Sequence, residues 1–469
     1  MLPDAQPVPH AVTGLLQLIG KTPLVRVTRI DTAGSQLWLK LESANPGGSI
    51  KDRIGLSMIS AAESAGALRR GAKTKLVEAT AGNTGLGLAL VSALRGYTLT
   101  LVIPDKMSQE KITHLKALGA RVITTRSDVG KGHPAYYQDL ARVIAEKERA
   151  FYVNQFENPA NPAAHERTTG PEIWNQVGGR MDAMVCGVGS GGTITGLSRF
   201  FARVGPQVEM ILADPEGSVL AEYTRTKKIG VAGSWLVEGI GEDFVPPICD
   251  LSRVARAYTI PDREAFAIVR ELLAREGILA GTSSGVLIAA ALRWCRERAE
   301  AGKPPGRVVT LVPDSGAKYL SKAYNDPWLA DHGMVERTKF GDLRDLVARR
   351  ASDGGLVSVG PRDPLSVAYA RMRATDVSQL PVLDEAGSIV GIVDESDVLV
   401  AASSDAGGFA REVADVMSTH VETLPPSAPI AALLPLFEQG KVGVVVDGGE
   451  LVGLITRVDL INHLRRRVG

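Results

Sequence analysis

Four times before residue 290, a stretch ends in a turn of Gly, Ser, Thr or Asn that opens directly into a helix-like segment. Junctions of this kind belong to chains in which strands and helices alternate. Trp38–Leu41, Lys75–Val77, Leu99–Ile103, Arg121–Thr124, Ala183–Gly187, Val208–Ala213 and Val308–Val312 read as strands. Between them lie amphipathic or Ala/Leu-rich helices, such as Ile50 to Ala65 with apolar residues at 50, 54, 58, 61, 62 and 65. The alternation predicts an α/β fold of mainly parallel sheets, covered by helices on both faces. Ligands in such folds sit where strands end and helices begin.

After Trp328 the pattern changes. A connecting stretch, Leu329–Phe340, leads into an internal repeat. Pro381-Val-Leu-Asp384 followed by Gly391-Ile-Val-Asp-Glu-Ser-Asp397 is echoed by Val444-Val-Val-Asp447 followed by Gly453-Leu-Ile-Thr-Arg-Val-Asp459. Each copy reads helix, strand, turn, strand, helix. Two copies, with Gly391 and Gly453 62 residues apart, predict a duplicated small domain, not a solenoid. A chain of 469 residues is too long for one ordinary domain. The expected division is 1–330, then 340–402 and 411–469.

Composition closes off other classes. Lys and Arg number 53 against 52 Asp and Glu, so no net field favours a polyanion, and no nucleic-acid partner is expected. The short basic end, Arg465-Arg466-Arg467, reads as a solvated helix end. The three cysteines, Cys186, Cys249 and Cys295, are widely spaced and lack metal-type pairing, so neither disulfides nor a metal site is expected. Cys186 lies in an apolar run and reads as a buried, inert thiol. No signal-type leader or membrane-length apolar run is seen, so a soluble cytoplasmic protein is expected.

Four constellations carry chemistry. In Ser43-Ala-Asn-Pro-Gly-Gly-Ser-Ile-Lys51-Asp-Arg53, Ser49 is a natural N-cap and Asp52 a weaker form of capping box. Lys51 then falls in the first helical turn, where the positive helix end and a dry site both disfavour its charge. A partly neutral lysine suits Schiff-base chemistry, although a solvated lysine has the same local signature. In Val77-Glu-Ala-Thr-Ala-Gly-Asn-Thr-Gly-Leu-Gly-Leu-Ala89, a turn opens a helix that stops at Gly96. Its amides and hydroxyls suit a carboxylate, or simply cap the helix. In Cys186-Gly-Val-Gly-Ser-Gly-Gly-Thr-Ile-Thr-Gly196, a glycine loop suits a phosphate. That loop also matches G-x-G-x-x-G through Gly187, Gly189 and Gly192, with Asp214 ending the next apolar run, so a nicotinamide enzyme stays open as a rival. In Leu279-Ala-Gly-Thr-Ser-Ser-Gly285, a small hydroxyl at a helix start is available to a ring nitrogen.

In this order and spacing the four motifs resemble the fold-type-II pyridoxal-phosphate family of cysteine synthases and cystathionine β-synthases, and the repeated tail resembles a tandem CBS (Bateman) module. The implied fold is two parallel-sheet subdomains of the tryptophan synthase β type, followed by a duplicated βαββα-type module. The implied cofactor is pyridoxal 5'-phosphate. Lys51 matches the Schiff-base lysine and general base, and Asn83 the residue bonding the ring hydroxyl. Gly189, Ser190, Gly191, Gly192 and Thr193 match the phosphate loop, and Ser283 the hydroxyl at the pyridine nitrogen. Thr80, Ala81, Gly82, Thr84 and Gln155 match the group holding the substrate α-carboxylate.

The tail, together with Val237-Glu-Gly-Ile-Gly-Glu-Asp-Phe244, resembles the cystathionine β-synthase branch. What that implies is L-serine plus L-homocysteine giving L-cystathionine and water, with possible hydrogen sulfide release and a homodimer or homotetramer. Cysteine synthase chemistry, from O-acetylserine and sulfide, is the alternative. No haem is expected, since no cysteine precedes Cys186. Glu242 replaces a Tyr common in eukaryotic members and is expected to meet the homocysteine amine. Ala81 replaces a common Ser, removing one hydroxyl from the carboxylate loop. In the tail, Thr456 and Asp459 match residues that contact an adenosyl ligand. Asp397 matches in the first copy, where Asp394 replaces the hydroxyl, so S-adenosylmethionine is tolerated better than a nucleotide phosphate.

Overall fold

Apolar runs of four to seven residues, buried along most of their length, build the middle strands of the first unit's sheets. The computed structural model describes residues 11–71, 74–80, 82–105, 107, 109–335, 340–347, 356–404 and 407–468. The chain divides into two units, Met1–Asn325 and Asp326–Gly469.

The first unit holds two sheets. The larger runs, in spatial order, Leu24–Arg26, Gln36–Leu41, Arg307–Val312, Ala183–Cys186, Glu209–Pro215 and Val254–Ile260. Every pairing in it is parallel except the first. The smaller runs Arg121–Thr125, Thr98–Pro104, Lys75–Ala79 and Phe151–Tyr152, all parallel. The expected α/β architecture is thus present, with strand ends within one or two residues of expectation.

Two helices of this unit cross backbone against backbone. Lys51–Ser64 and Asn83–Arg95 meet at Gly55 and Gly87. A methyl group at Gly87 would lie 2.5 Å from the Lys51 carbonyl oxygen, and one at Gly55 2.7 Å from the Gly87 carbonyl carbon. Only glycine permits that approach, and alanine at either position would cost about 1–3 kcal/mol of overpacking. The crossing brings the starts of both helices, Lys51 and Asn83, to one place. The second helix ends as expected at Gly96, in the left-handed conformation.

The second unit contains the repeat. Its first copy has helix Leu365–Thr375, strands Gln379–Leu383 and Ile389–Asp394, and helix Glu395–Ser404. Its second has short helical turns over Ile430–Leu433 and Leu434–Glu438, strands Gly443–Asp447 and Glu450–Ile455, and helix Arg457–Val468. In each copy a further short segment pairs in parallel with the first of these strands, Val359 with Val382 and Thr423 with Val444. The basic end lies in the last helix, and its side chains fall outside the described residues.

The copies exchange their leading segments. Leu343, Leu346 and Val347 precede the first copy yet pack in the core of the second, with Phe437, Val445 and Ile455. Val413, Val416 and Met417 precede the second copy yet pack with Leu365, Leu380 and Val393 of the first. Bridges Asp342 to Pro429 and Pro364 to Glu412 fix both crossings.

Candidate active site

A cavity of about 520 Å³ opens in the first unit where strands end and helices start. Lys51, Thr80, Asn83, Thr84, Gln155, Gly189, Ser190, Gly191, Thr193, Glu242 and Ser283 line it. Four separate turns therefore converge, as their chemistry predicts. Gly82 and Gly192 adjoin these lining residues in sequence but are not themselves part of the lining, and Ala81 lies outside the described residues.

Lys51 is the first residue of its helix, and its N–H donates to Ser49 Oγ at 3.3 Å. The expected reciprocal bond from Asp52 does not form. Instead the Asp52 carboxylate accepts the Gly47 N–H at 2.5 Å, closing the Pro-Gly-Gly turn. Burial holds the Lys51 ammonium below its usual pKa, while Asp314 and Glu242 pull it back up. Two residues on, Arg53 donates to both oxygens of Glu42, at 2.7 and 2.8 Å, and to Glu172 at 2.7 Å. This forked pairing pins the helix that presents Lys51.

The carboxylate-type loop is organised by Thr80, whose hydroxyl oxygen accepts the N–H groups of Gly82 and Gly85 at 3.1 and 3.3 Å. Thr80 thereby caps the helix start, and the Thr80 O–H keeps its own proton to donate. Thr84 donates to Gln155 Oε1 at 2.6 Å, and Gln155 Nε2 donates to the Ala79 carbonyl at 2.9 Å. Beneath them Glu78 is fully buried and accepts from the N–H groups of Ala79 and Gln155 at 3.0 and 3.3 Å. Burial pushes its carboxyl up to about 8.

The glycine loop leads into helix Gly192–Val204, which has no side-chain cap among the described residues. Its first N–H groups are left for an anion. Gly191 has φ +86°, and a methyl group at Gly192 would overlap the Asn161 side chain. Asn161 Nδ2 donates to Ser190 Oγ at 2.9 Å, and Thr193 Oγ1 lies 3.3 Å from His165 Nε2. Burial keeps the His165 imidazole neutral, well below its usual pKa. Uncapped amides, small hydroxyls and no carboxylate in the loop itself suit a phosphate, and Lys51 suits an aldehyde. The residues present therefore fit pyridoxal phosphate.

The nicotinamide alternative loses its acidic residue. Asp214 accepts the Ala221 N–H at 2.8 Å and so caps helix Leu220–Thr226. Ser283, in the first turn of helix Thr282–Glu300, and Glu242 line other walls of the cavity. Burial raises all three thiols, Cys249 to about 12 and Cys295 to about 11.

Sequence reasoning missed a polar chain beside the site, of which Glu238 and Lys322 reach the cavity wall. Lys111 donates to Glu238 at 2.8 Å and to the Tyr319 hydroxyl at 2.9 Å, and Lys322 reaches Glu238 at 2.7 Å. Tyr319 donates to Asp314 at 2.6 Å. The available signal was Pro313-Asp-Ser-Gly, another turn closing an apolar strand.

In the second unit the Thr and Asp motifs bond to themselves. Thr456 donates to Asp459 through N–H and hydroxyl, at 2.7 and 2.6 Å. Asp394 N–H donates to Asp397 at 2.9 Å, and Asp394 accepts the Asp397 N–H at 3.0 Å. Both are reciprocal helix caps.

Known proteins resemble this chain over both units. Residues 15–314 match the pyridoxal-phosphate dependent enzyme family, and residues 345–404 and 413–466 match the CBS domain. Cystathionine beta-synthase of Oryctolagus cuniculus is 35% identical over 480 residues, spanning 98% of this chain and 86% of that protein. Cysteine synthase A of Escherichia coli (strain K12) is 42% identical over 309 residues, 65% of this chain and 93% of that one. The crystal structure of the O-acetylserine dependent cystathionine beta-synthase from Helicobacter pylori matches with a TM-score of 0.60 at 36% identity, covering 67% of this chain and 98% of that one. No helix among the described residues is long and apolar enough to cross a membrane. The chain belongs to the pyridoxal-phosphate dependent enzymes, as a member of the cystathionine β-synthase family of lyases with two CBS domains.

Proposed function

We propose that the chain condenses L-serine with L-homocysteine, giving L-cystathionine and water. One observation carries the reading: Lys51, its charge disfavoured by burial, shares a cavity with an uncapped glycine loop and a carboxylate-type loop. Pyridoxal phosphate supplies the electron sink that makes the substrate α-hydrogen acidic and lets the β-substituent leave. Lys51 anchors the cofactor, then takes the α-proton as general base and returns it at the end. Gly189 to Thr193 hold the phosphate, and Asn83 the ring hydroxyl. Ser283 faces the ring nitrogen; a hydroxyl there leaves the ring neutral, a weaker sink that suits β-replacement. Thr80, Gly82, Thr84 and Gln155 hold the substrate carboxylate.

Glu242, at the cavity wall, receives the homocysteine amine. Changing Glu242 to Gln should raise the homocysteine KM and spare that of serine; an unchanged homocysteine KM would remove the assignment. Thr456, Asp459 and Asp397 serve an adenosyl ligand, with S-adenosylmethionine favoured over AMP and ATP, and calorimetry with all three tests this. The working form is a cytoplasmic homodimer or homotetramer, readable by sedimentation.

The deciding assay follows the visible spectrum while serine and then homocysteine are added. A yellow protein that responds to serine and releases cystathionine supports the proposal. A response only to O-acetylserine and sulfide makes it a cysteine synthase; Ala81, with one hydroxyl fewer in the carboxylate loop, lets O-acetylserine compete with serine. Sulfide release from cysteine with homocysteine tests hydrogen sulfide production. A colourless protein that pyridoxal phosphate cannot reconstitute overturns the proposal.

A further inference from the structure

Asn83 sits between opposite charges, and this decides which way its amide points. Asn83 Nδ2 donates to Asp314 Oδ2 at 2.7 Å, and its Oδ1 accepts from Lys318 Nζ at 3.1 Å. The two ends of an amide have nearly the same shape, so only the partners choose between them. Turned over, Asn83 would aim its oxygen at a carboxylate and its N–H groups at an ammonium. Both contacts would then change from attraction to repulsion in a buried setting.

Each side of this clamp is itself held. Asp314 is fully buried, and its Oδ2 also accepts from Tyr319, which Lys111 supports in turn. The Asp314 carbonyl accepts the Gly281 N–H at 3.0 Å, two residues before Ser283. Lys318 also donates to the carbonyls of Gly47 and Gly48, at 3.2 and 3.1 Å, in the turn that leads to Lys51. Pro313 to Tyr319 thus touches three of the four turns that build the site.

We infer that Asp314 and Lys318 are positioning residues that lock the Asn83 amide so that its nitrogen end, and not its oxygen, is offered to the cofactor's ring hydroxyl. The inference rests on the proposed role of Asn83. An oxygen that gives up its proton is stabilised by a donor, so the locked amide favours the ionised ring hydroxyl and sets the colour of the bound cofactor.

The test measures the visible band and the retention of pyridoxal phosphate in dialysis. The variants are Asn83→Ala, Lys318→Met, Lys318→Arg, Asp314→Asn and the double variant Asn83→Ala with Lys318→Met. Lys318→Met and Asp314→Asn should shift the band in the same direction as Asn83→Ala. Each should weaken retention roughly tenfold, the scale of one charge-assisted hydrogen bond. Lys318→Arg should restore the band, and Lys318→Met should add nothing on top of Asn83→Ala. If Asn83→Ala moves the band and the two clamp variants do not, the clamp is wrong and the site assignment stands. If Asn83→Ala changes neither band nor retention, the role of Asn83 falls and the clamp with it. Should Asp314→Asn fail to fold, the Lys318 pair alone decides.

Discussion

Two helix starts of the first unit and two of the second are finished in opposite ways. In the first, the helix after the glycine loop and the helix carrying Ser283 begin at Gly191 and Gly281 without a side-chain cap among the described residues. In the second, Asp394 with Asp397, and Thr456 with Asp459, close the helix starts on themselves. An open helix start leaves N–H groups that need an acceptor, and in water-poor surroundings that acceptor is a ligand. A closed start has spent its hydroxyl and carboxylate already. The contrast teaches that a Ser/Thr/Asp motif points to a ligand in proportion to the bonds it leaves unmade. For an adenosyl group to engage Thr456 and Asp459, it must compete with bonds of 2.7 and 2.6 Å.

The largest effect should come at the open side. Lys51→Ala should cut β-replacement by at least about a thousandfold, because both the anchor and the proton carrier go. A product assay reads the loss, and unchanged circular dichroism would show that the fold survives. Next, Gly192→Ala should drive the loop against Asn161 and weaken phosphate retention by roughly a hundredfold, an overpacking cost near 3 kcal/mol. Full retention in that variant would break the comparison, since the loop would then not need its tight path.

A smaller, pH-dependent effect belongs to Glu78. Its folded carboxyl is raised from the ordinary 4.5 to about 8, so the folded chain keeps a proton that the unfolded chain gives up. Stability should therefore be fullest below about pH 4.5 for this group and decline as pH rises to about 8. The slope is at most about 1.4 kcal/mol per pH unit. Glu78→Gln should flatten it in denaturant titrations, and an unchanged slope would show that Glu78 is ionised when folded. The smallest effect lies on the closed side. Thr456→Ala should cost about 1 kcal/mol of stability, the usual value of a cap, and leave catalysis alone. A loss of effector binding far beyond that cost would show that the capped motif serves a ligand as well.

Much of the first unit is legible in its residues. The strands, the helix from Lys51 and the four turns can be read because each depends on local pattern: apolar runs, Gly at a turn, a small hydroxyl at a helix start. Asp314, Lys318 and Lys111 could not be found that way. Each gains its meaning from a partner distant in sequence, and Lys111 reads locally as any solvated helix lysine although it is fully buried. Asp52 and Asp214 show the converse error. Both have local signatures, a capping box and a dinucleotide fingerprint, but a nearer backbone N–H claims each carboxylate. In the tail the repeat is plain, while the exchange of leading segments is not, because nothing in Val413 or Leu343 states which copy will bury it.

That exchange has a cost for independence. A copy whose core is built or covered by three residues from the other's leader cannot melt, or be cut away, without opening its neighbour. The pair is one cooperative body, and binding that tightens either half stiffens the other without any further contact between them.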